Sequence, residues 1–273
     1  MTHPGRGNAA PASHMRHSYR SALVTGASSG IGTSFARRLA ADGCHLVLVA
    51  RRTDRLDRLA GELHKQHDVT VEVLPADLGS AAGLAAVRAR LTAGDPVELL
   101  VNNAARSARG TLAELTPETI DAQLSLNVTA LAQLTRAAVT GMLDRGYGGI
   151  LNVSSMASLT ASPGSAVYGA TKAFVTSLTE SLHAELAATD IHVTALLPGF
   201  THTEFHAAND VEISYLPDIA WLDPDTVARA GLDAVAAGRP LAVPGAQYKL
   251  AASTVQLAPR SLLRALARRY RGV

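Results

Sequence analysis

The chain has 273 residues, 47% of them hydrophobic and 18% charged, which suits one α/β domain with a large core. A formal charge of +2 excludes the concentrated positive excess of a nucleic-acid footprint, so the expected partner is a small molecule. Cys44 stands alone and cannot close an intrachain disulfide, and no apolar run reaches signal-peptide or membrane-span length, so a cytoplasmic location is expected.

Residues 1–19 lack periodicity and offer few apolar groups to offset the entropy of ordering, which predicts a disordered leader, with order starting near Ser21. Residues 20–273 read as a single domain. Short β-rich runs follow at Ala22–Thr25, Leu46–Ala50, Val69–Leu74, Val97–Val101, Ile150–Val153, Val193–Leu197 and Leu241–Val243, and they alternate with helical patterns. Such alternation predicts βαβ units and a parallel sheet. Several runs are apolar throughout, Leu46–Ala50 among them, as strands covered by helices on both faces should be. The expected architecture is therefore a doubly wound sheet.

The first strand leads into Thr25-Gly26-Ala27-Ser28-Ser29-Gly30-Ile31-Gly32, and a helical pattern carrying Phe35, Leu39 and Ala40 comes next. Glycines at a strand-to-helix turn let the backbone approach a pyrophosphate, and the amides and dipole at the helix start favour the anion. Gly26, Ser28, Ser29, Gly30, Ile31 and Gly32 are thus the candidate phosphate contacts. A glycine cluster also arises as packing punctuation, so the loop alone does not assign a ligand.

The second strand ends Val49-Ala50-Arg51-Arg52, about twenty residues past the glycines, where an acidic residue would bond the ribose hydroxyls of NAD. Ala50 stands there instead. Arg51, with Arg52 behind it, offers a guanidinium to a 2′-phosphate, which favours NADP(H) over NAD(H). The alternative is that both arginines open a solvated helix face with Arg55 and Arg58. Asp77-Leu78, after the third strand, either caps the next helix or contacts adenine.

Ile150-Leu151-Asn152-Val153-Ser154-Ser155 ends a strand, and a hydroxyl at a strand's carboxyl end lies where open α/β sheets bind ligands. Further on, Tyr168-Gly169-Ala170-Thr171-Lys172 opens a helical pattern whose apolar stripe runs Phe174, Leu178, Leu182 and Leu186. The i, i+4 spacing puts phenol and ammonium on one face, and the ammonium is expected to make the phenol a useful acid or base near neutrality. As an isolated pair, a surface Tyr and Lys one turn apart would be unremarked.

Taken together and in order, Thr25–Gly32, Asn102-Asn103-Ala104-Ala105, Asn127, Ser155, Tyr168 with Lys172, and Pro198-Gly199 resemble the classical short-chain dehydrogenase/reductase family over about residues 21–245. The resemblance implies a Rossmann-like doubly wound parallel sheet of about seven strands with helices on both faces, and hydride transfer between NADP(H) and a carbonyl or secondary alcohol. It implies Tyr168 as the acid in reduction, Lys172 on the nicotinamide ribose, Asn127 organising a proton-relay water, and Ser155, thirteen before the tyrosine, orienting the substrate. Ser154 is set aside on that spacing. Asn103, Ala104 and Ala105 would support the cofactor ribose, and Pro198, Gly199, Thr201 and Thr203 the nicotinamide end. Ala105 and Ala130 replace glycines usual in the family. The resemblance further implies a homodimer or homotetramer formed through the helices that hold Asn127 and Tyr168. Rival readings are a non-catalytic NADP(H)-binding redox sensor, and an epimerase or lyase.

Phe200–Asp223 lacks periodicity and is expected to be a substrate lid over about residues 200–223, whose Phe200, Phe205, Tyr215, Leu216 and Trp221 suggest a hydrophobic substrate such as an acyl, steroid-like or cyclic ketone. Within it, His202, Glu204 and His206 form H-x-E-x-H, which is not the zincin spacing, so no metal is expected. From Pro259, Arg260, Arg264 and Arg268 at i, i+4 predict a basic amphipathic helix over about residues 259–271, with Leu262, Leu263, Leu266 and Tyr270 largely opposite. Its apolar side either packs on protein or makes a weak contact with a membrane surface.

Overall fold

Strands form where the sequence runs apolar without alternation, because each side of the sheet is buried under helices. The computed structural model describes residues 19–207 and 217–269. The strands are β1 (Ser21–Thr25), β2 (His45–Ala50), β3 (Val71–Pro75), β4 (Leu99–Asn102), β5 (Tyr147–Val153), β6 (Asp190–Leu196) and β7 (Leu241–Ala242). They pair in parallel in the order β3-β2-β1-β4-β5-β6-β7. All seven expected strands are present. Val69 and Val97 are buried but precede the ladders of β3 and β4, so those strands start two residues later than their apolar runs.

The helices are α1 (Gly30–Ala41), α2 (Thr53–His67), α3 (Ala81–Thr92), α4 (Pro117–Leu124), α5 (Leu131–Arg145), α6 (Ala166–Glu185), α7 (Glu204–Ala207), α8 (Pro224–Ala236), α9 (Ala246–Leu257) and α10 (Arg260–Arg269). Local chemistry starts and stops them. Thr116 and Asp223 accept from the amides of Thr119 and Thr226, with Pro117 and Pro224 just inside, and Gly146 ends α5 at φ +84°. Strand alternation feeds two cores. Ala22 and Val24 face Phe35 and Leu39 of α1, Leu56 of α2 and Leu232 of α8, whereas Leu23 faces Val87 of α3 and Leu134 and Met142 of α5.

Two expectations change here. Tyr19, assigned above to the leader, is buried on the bare backbone of Gly149, and burial, then the Glu98 carboxylate, push its phenol up to about 12. Glu98 fixes this entry by accepting from the Arg20 amide at 2.7 Å and the Tyr147 hydroxyl at 2.9 Å. Residues 1–18 lie outside the described residues. On α6, Phe174 at the start of the expected stripe is 39% exposed while Leu182 and Leu186 at its end reach the second core, and the small and polar side carrying Val167, Thr171, Lys172, Val175, Thr176 and Thr179 is buried on the sheet. Asn152 of β5 explains this by donating to Thr179 Oγ1 at 3.0 Å and accepting from Asn102 Nδ2 of β4 at 2.9 Å.

Cys44 precedes β2 in the first core, and its thiol is pushed up to about 12 by burial, then by the charges of Glu98 and Asp42. Among the described residues no helix is long and apolar enough to cross a membrane.

Because β1 lies between β2 and β4, chain connections leave its carboxyl end in opposite directions and open a crevice there. The loops after β1, β4, β5 and β6 all end at that edge, and they carry the glycine loop, Asn103–Ala105, Ser155 and Pro198–Thr203.

Candidate active site

Thr25, the last residue of β1, sets the floor of the crevice. Its hydroxyl accepts from the amides of Asn103 at 2.9 Å and Ala104 at 3.0 Å, and Asn103 Nδ2 donates back to the Thr25 carbonyl at 2.9 Å. These bonds press the β4 loop onto Gly26, which takes φ +66°, and a Cβ there would stand 2.8 Å from Asn103 Nδ2. A Cβ on Gly32 would strike the Gly26 carbonyl, so the first turn of α1 also requires a bare backbone. Ser29 caps α1 without a side-chain bond and the first turn carries no acid, which leaves the helix amides and dipole free for an anion. These residues fit the pyrophosphate of a dinucleotide, with Ile31 packed beneath them against the core.

Past β2 the two arginines take different surroundings. Arg51 is exposed, and the guanidinium that reaches the glycine loop is that of Arg52, with Nη2 at 2.9 Å from Ser29 Oγ and Nε at 3.3 Å from Ser28 Oγ. The chain bends at Arg51 before entering α2, which turns the second arginine inward. Asp77 accepts from the Gly79 amide at 3.0 Å, while the cap of α3 is Ser80, which accepts from Gly83 at 3.1 Å. The Leu78 side chain lies in the second core, so only its backbone is left for a ligand.

The catalytic candidates converge at β5 and α6. The Ser155 hydroxyl lies beside the Tyr168 phenol, where it lowers the phenol's pKa, and caps a short 3-10 turn by accepting from Ala157 at 3.1 Å. Ser154 is buried, donates to the Lys172 carbonyl at 2.8 Å and shares a 2.7 Å bond with the Thr176 hydroxyl, so it ties β5 to α6. Lys172 donates from Nζ to the Val153 carbonyl at 2.8 Å and stands 5.7 Å from the centre of the Tyr168 ring. Burial lowers Lys172 to about 8. Burial also dominates at Tyr168, raising it to about 12 against the lowering effect of the Ser155 hydroxyl. The expected acidification by the ammonium does not appear, and desolvation outweighs the one lowering contact, Ser155.

Asn127 sits in a single π-helical turn, Ser125–Ala130, between α4 and α5. Its amide donates to the Arg106 carbonyl at 2.8 Å and the Thr171 hydroxyl at 3.1 Å, and its oxygen accepts from the Arg106 amide at 2.9 Å. Thr171 donates onward to the Tyr168 carbonyl at 2.8 Å, so the asparagine pins the β4 loop to the turn that carries the tyrosine. The Ala104 backbone lies against Gly26.

After β6, the Pro198 carbonyl accepts from Met156 at 3.0 Å, and Thr201 is buried with its hydroxyl donating to the Gly199 carbonyl at 3.0 Å. Thr203 closes on the glycine loop, since a Cβ on Gly30 would stand 2.8 Å from its methyl. Aromatic rings gather beside it: Phe205 lies 6.1 Å from the Tyr168 ring, Phe200 lies 6.0 Å from Trp221, and His202 stacks on Trp221 at 4.6 Å. Of the lid residues, Tyr215 and Leu216 lie outside the described residues. Sequence reasoning missed Tyr248 of α9, which packs on Gly199, accepts from the Phe200 amide at 3.0 Å and donates to the Ala220 carbonyl at 2.6 Å. It belongs to no motif, and only the fold brings it here. Glu204 is ion-paired with Arg52 and Arg55.

Residues 20–212 match the sequence profile of a family described as short chain dehydrogenase. The chain is 33% identical to the very-long-chain 3-oxoacyl-CoA reductase of Anas platyrhynchos over 220 residues, which cover 78% of this chain and 68% of that protein. Among solved structures, a short-chain dehydrogenase from Sphingobium yanoikuyae in complex with NADPH is 35% identical with a TM-score of 0.81, over 93% of this chain and 97% of that one. The bulky-bulky ketone specific alcohol dehydrogenase from Comamonas testosteroni is 32% identical with a TM-score of 0.76, over 93% and 96% of the two chains.

Proposed function

This chain belongs to the short-chain dehydrogenase/reductase family of oxidoreductases, and from that premise we propose that it reversibly reduces a hydrophobic ketone or acyl carbonyl with NADP(H). The observation that carries the reading is the convergence of Ser155, Tyr168 and Lys172, the serine close enough to the phenol to lower its pKa and the Lys172 ammonium 5.7 Å from the phenol ring. When bound, the reduced nicotinamide supplies the hydride. Ser155 holds and polarises the carbonyl oxygen, and Tyr168 delivers a proton to it. At about 12 the phenol is protonated throughout the neutral range. It is still a stronger acid than the alcohol formed from the developing alkoxide, which is about as weak an acid as water, so the proton runs downhill. Lys172 is placed to grip the nicotinamide ribose, and Asn127 to organise the relay that reprotonates the phenol.

Phe200, Phe205 and Trp221 support an apolar substrate, in keeping with the very-long-chain 3-oxoacyl and bulky ketone substrates named for two relatives. The NADPH complex of the Sphingobium relative supports NADP(H), as does Arg52 at the end of β2. The absorbance of NADPH, followed with a panel of aliphatic, cyclic and steroid-like ketones, tests the proposal. Oxidation of the cofactor should fall about 10²- to 10⁴-fold in Tyr168→Phe while NADPH binding is retained. Binding without turnover on any ketone would favour the redox-sensor reading, and an unimpaired variant would remove Tyr168 from the chemistry.

A further inference from the structure

Glu204 opens α7, and its carboxylate meets Arg55 Nη1 at 2.9 and 2.7 Å and Arg52 Nη1 at 3.1 Å. Those contacts hold its carboxyl below the usual range, led by the bond from Arg55 and then that from Arg52. The other side of the Arg52 guanidinium is bonded to Ser28 and Ser29 of the glycine loop. Arg52 therefore lies between the phosphate loop and a carboxylate, at the end of β2 where a dinucleotide places the 2′ position of its adenosine ribose. Two guanidiniums and two serine hydroxyls form an anion cradle, and the anion in it is the protein's own.

We propose that Glu204 is a specificity-determining residue that competes with the cofactor's 2′-phosphate for Arg52 and Arg55. This rests on the NADP(H) reading given above. A 2′-phosphate carries more charge than a carboxylate and matches the guanidinium fork, so it displaces Glu204. A ligand with a free 2′-hydroxyl has no group to replace the carboxylate and leaves the ion pairs in place. The competition lowers affinity for phosphorylated cofactor alone and narrows the preference for NADP(H) over NAD(H). Displacement also reaches the catalytic end, because Phe205, which packs on the Tyr168 ring, is the next residue of α7.

Isothermal titration of NADPH, NADH and 2′,5′-ADP into the full chain and its Glu204→Gln and Glu204→Ala variants tests this. Each ion pair is largely exposed, so the variants should bind NADPH and 2′,5′-ADP about threefold to tenfold more tightly, with NADH unchanged. If 2′,5′-ADP binds parent and variants equally, the competition is overturned and the cofactor reading stands. Equal shifts for NADPH and NADH would reduce Glu204 to a structural part and overturn it as well. If none of the three proteins binds 2′,5′-ADP, the NADP(H) reading falls and takes the competition with it.

Discussion

Lys172 shows how burial sets a residue's chemistry. Held at about 8 against an ordinary value of 10.5, it loses its proton earlier in the folded protein than in the unfolded chain. Between those values the unfolded state binds the extra proton, so Lys172 contributes increasing stability as pH rises through that window. Thermal melts of the parent and Lys172→Met from pH 7.5 to 10.5 should show the difference between them moving in the parent's favour with rising pH. A flat difference would mean that burial is not what lowers the ammonium. Arginine choice belongs to the same scale. The sequence shows two adjacent guanidiniums where an acid is missing, but a bend of the backbone at Arg51 decides that Arg52 faces the glycine loop. No spacing rule carries that information.

At the scale of elements, α9 acts on the substrate side through one side chain. Tyr248→Phe would leave the Phe200 amide and the Ala220 carbonyl without their partner, costing about 1–3 kcal/mol of stability if both are left unsatisfied. Calorimetry should show that loss, and steady-state kinetics should show a KM for ketone raised several-fold with cofactor affinity preserved. Strands and glycine loop were legible because apolar runs and glycine spacing reflect local constraints, as at Leu46–Ala50 and Thr25–Gly32. Tyr248 and Glu204 were not, because their partners lie 48 and 149 residues away in the chain. The H-x-E-x-H spelling, set aside as a metal site, left Glu204 without a role, and the fold gives its carboxylate to arginines of α2 and the turn before it. The buried side of α6 was hidden for a related reason: the hydroxyls of Thr176 and Thr179 bond carbonyls of their own helix and, far off in sequence, Ser154 and Asn152 at β5.

Across the whole molecule, the apolar groups left outside both cores include Leu124 of α4, Leu143 of α5 and Phe174 of α6, which are 41%, 50% and 39% exposed. Helices that hold the catalytic side chains inward thus show leucine and phenylalanine outward, in keeping with a proposed association of two or four copies through these helices. Light scattering of the parent should return a multiple of 28.4 kDa, and Phe174→Asp should shift it toward the single chain; a parent already monomeric would end that proposal. Cys44 has a different consequence. Its sulfur is buried just before β2 and stays protonated far above neutrality, so an alkylating reagent reacts only with molecules whose layers around the first core have come apart. As the sequence's one thiol, it is a natural clock for the breathing of that half of the protein.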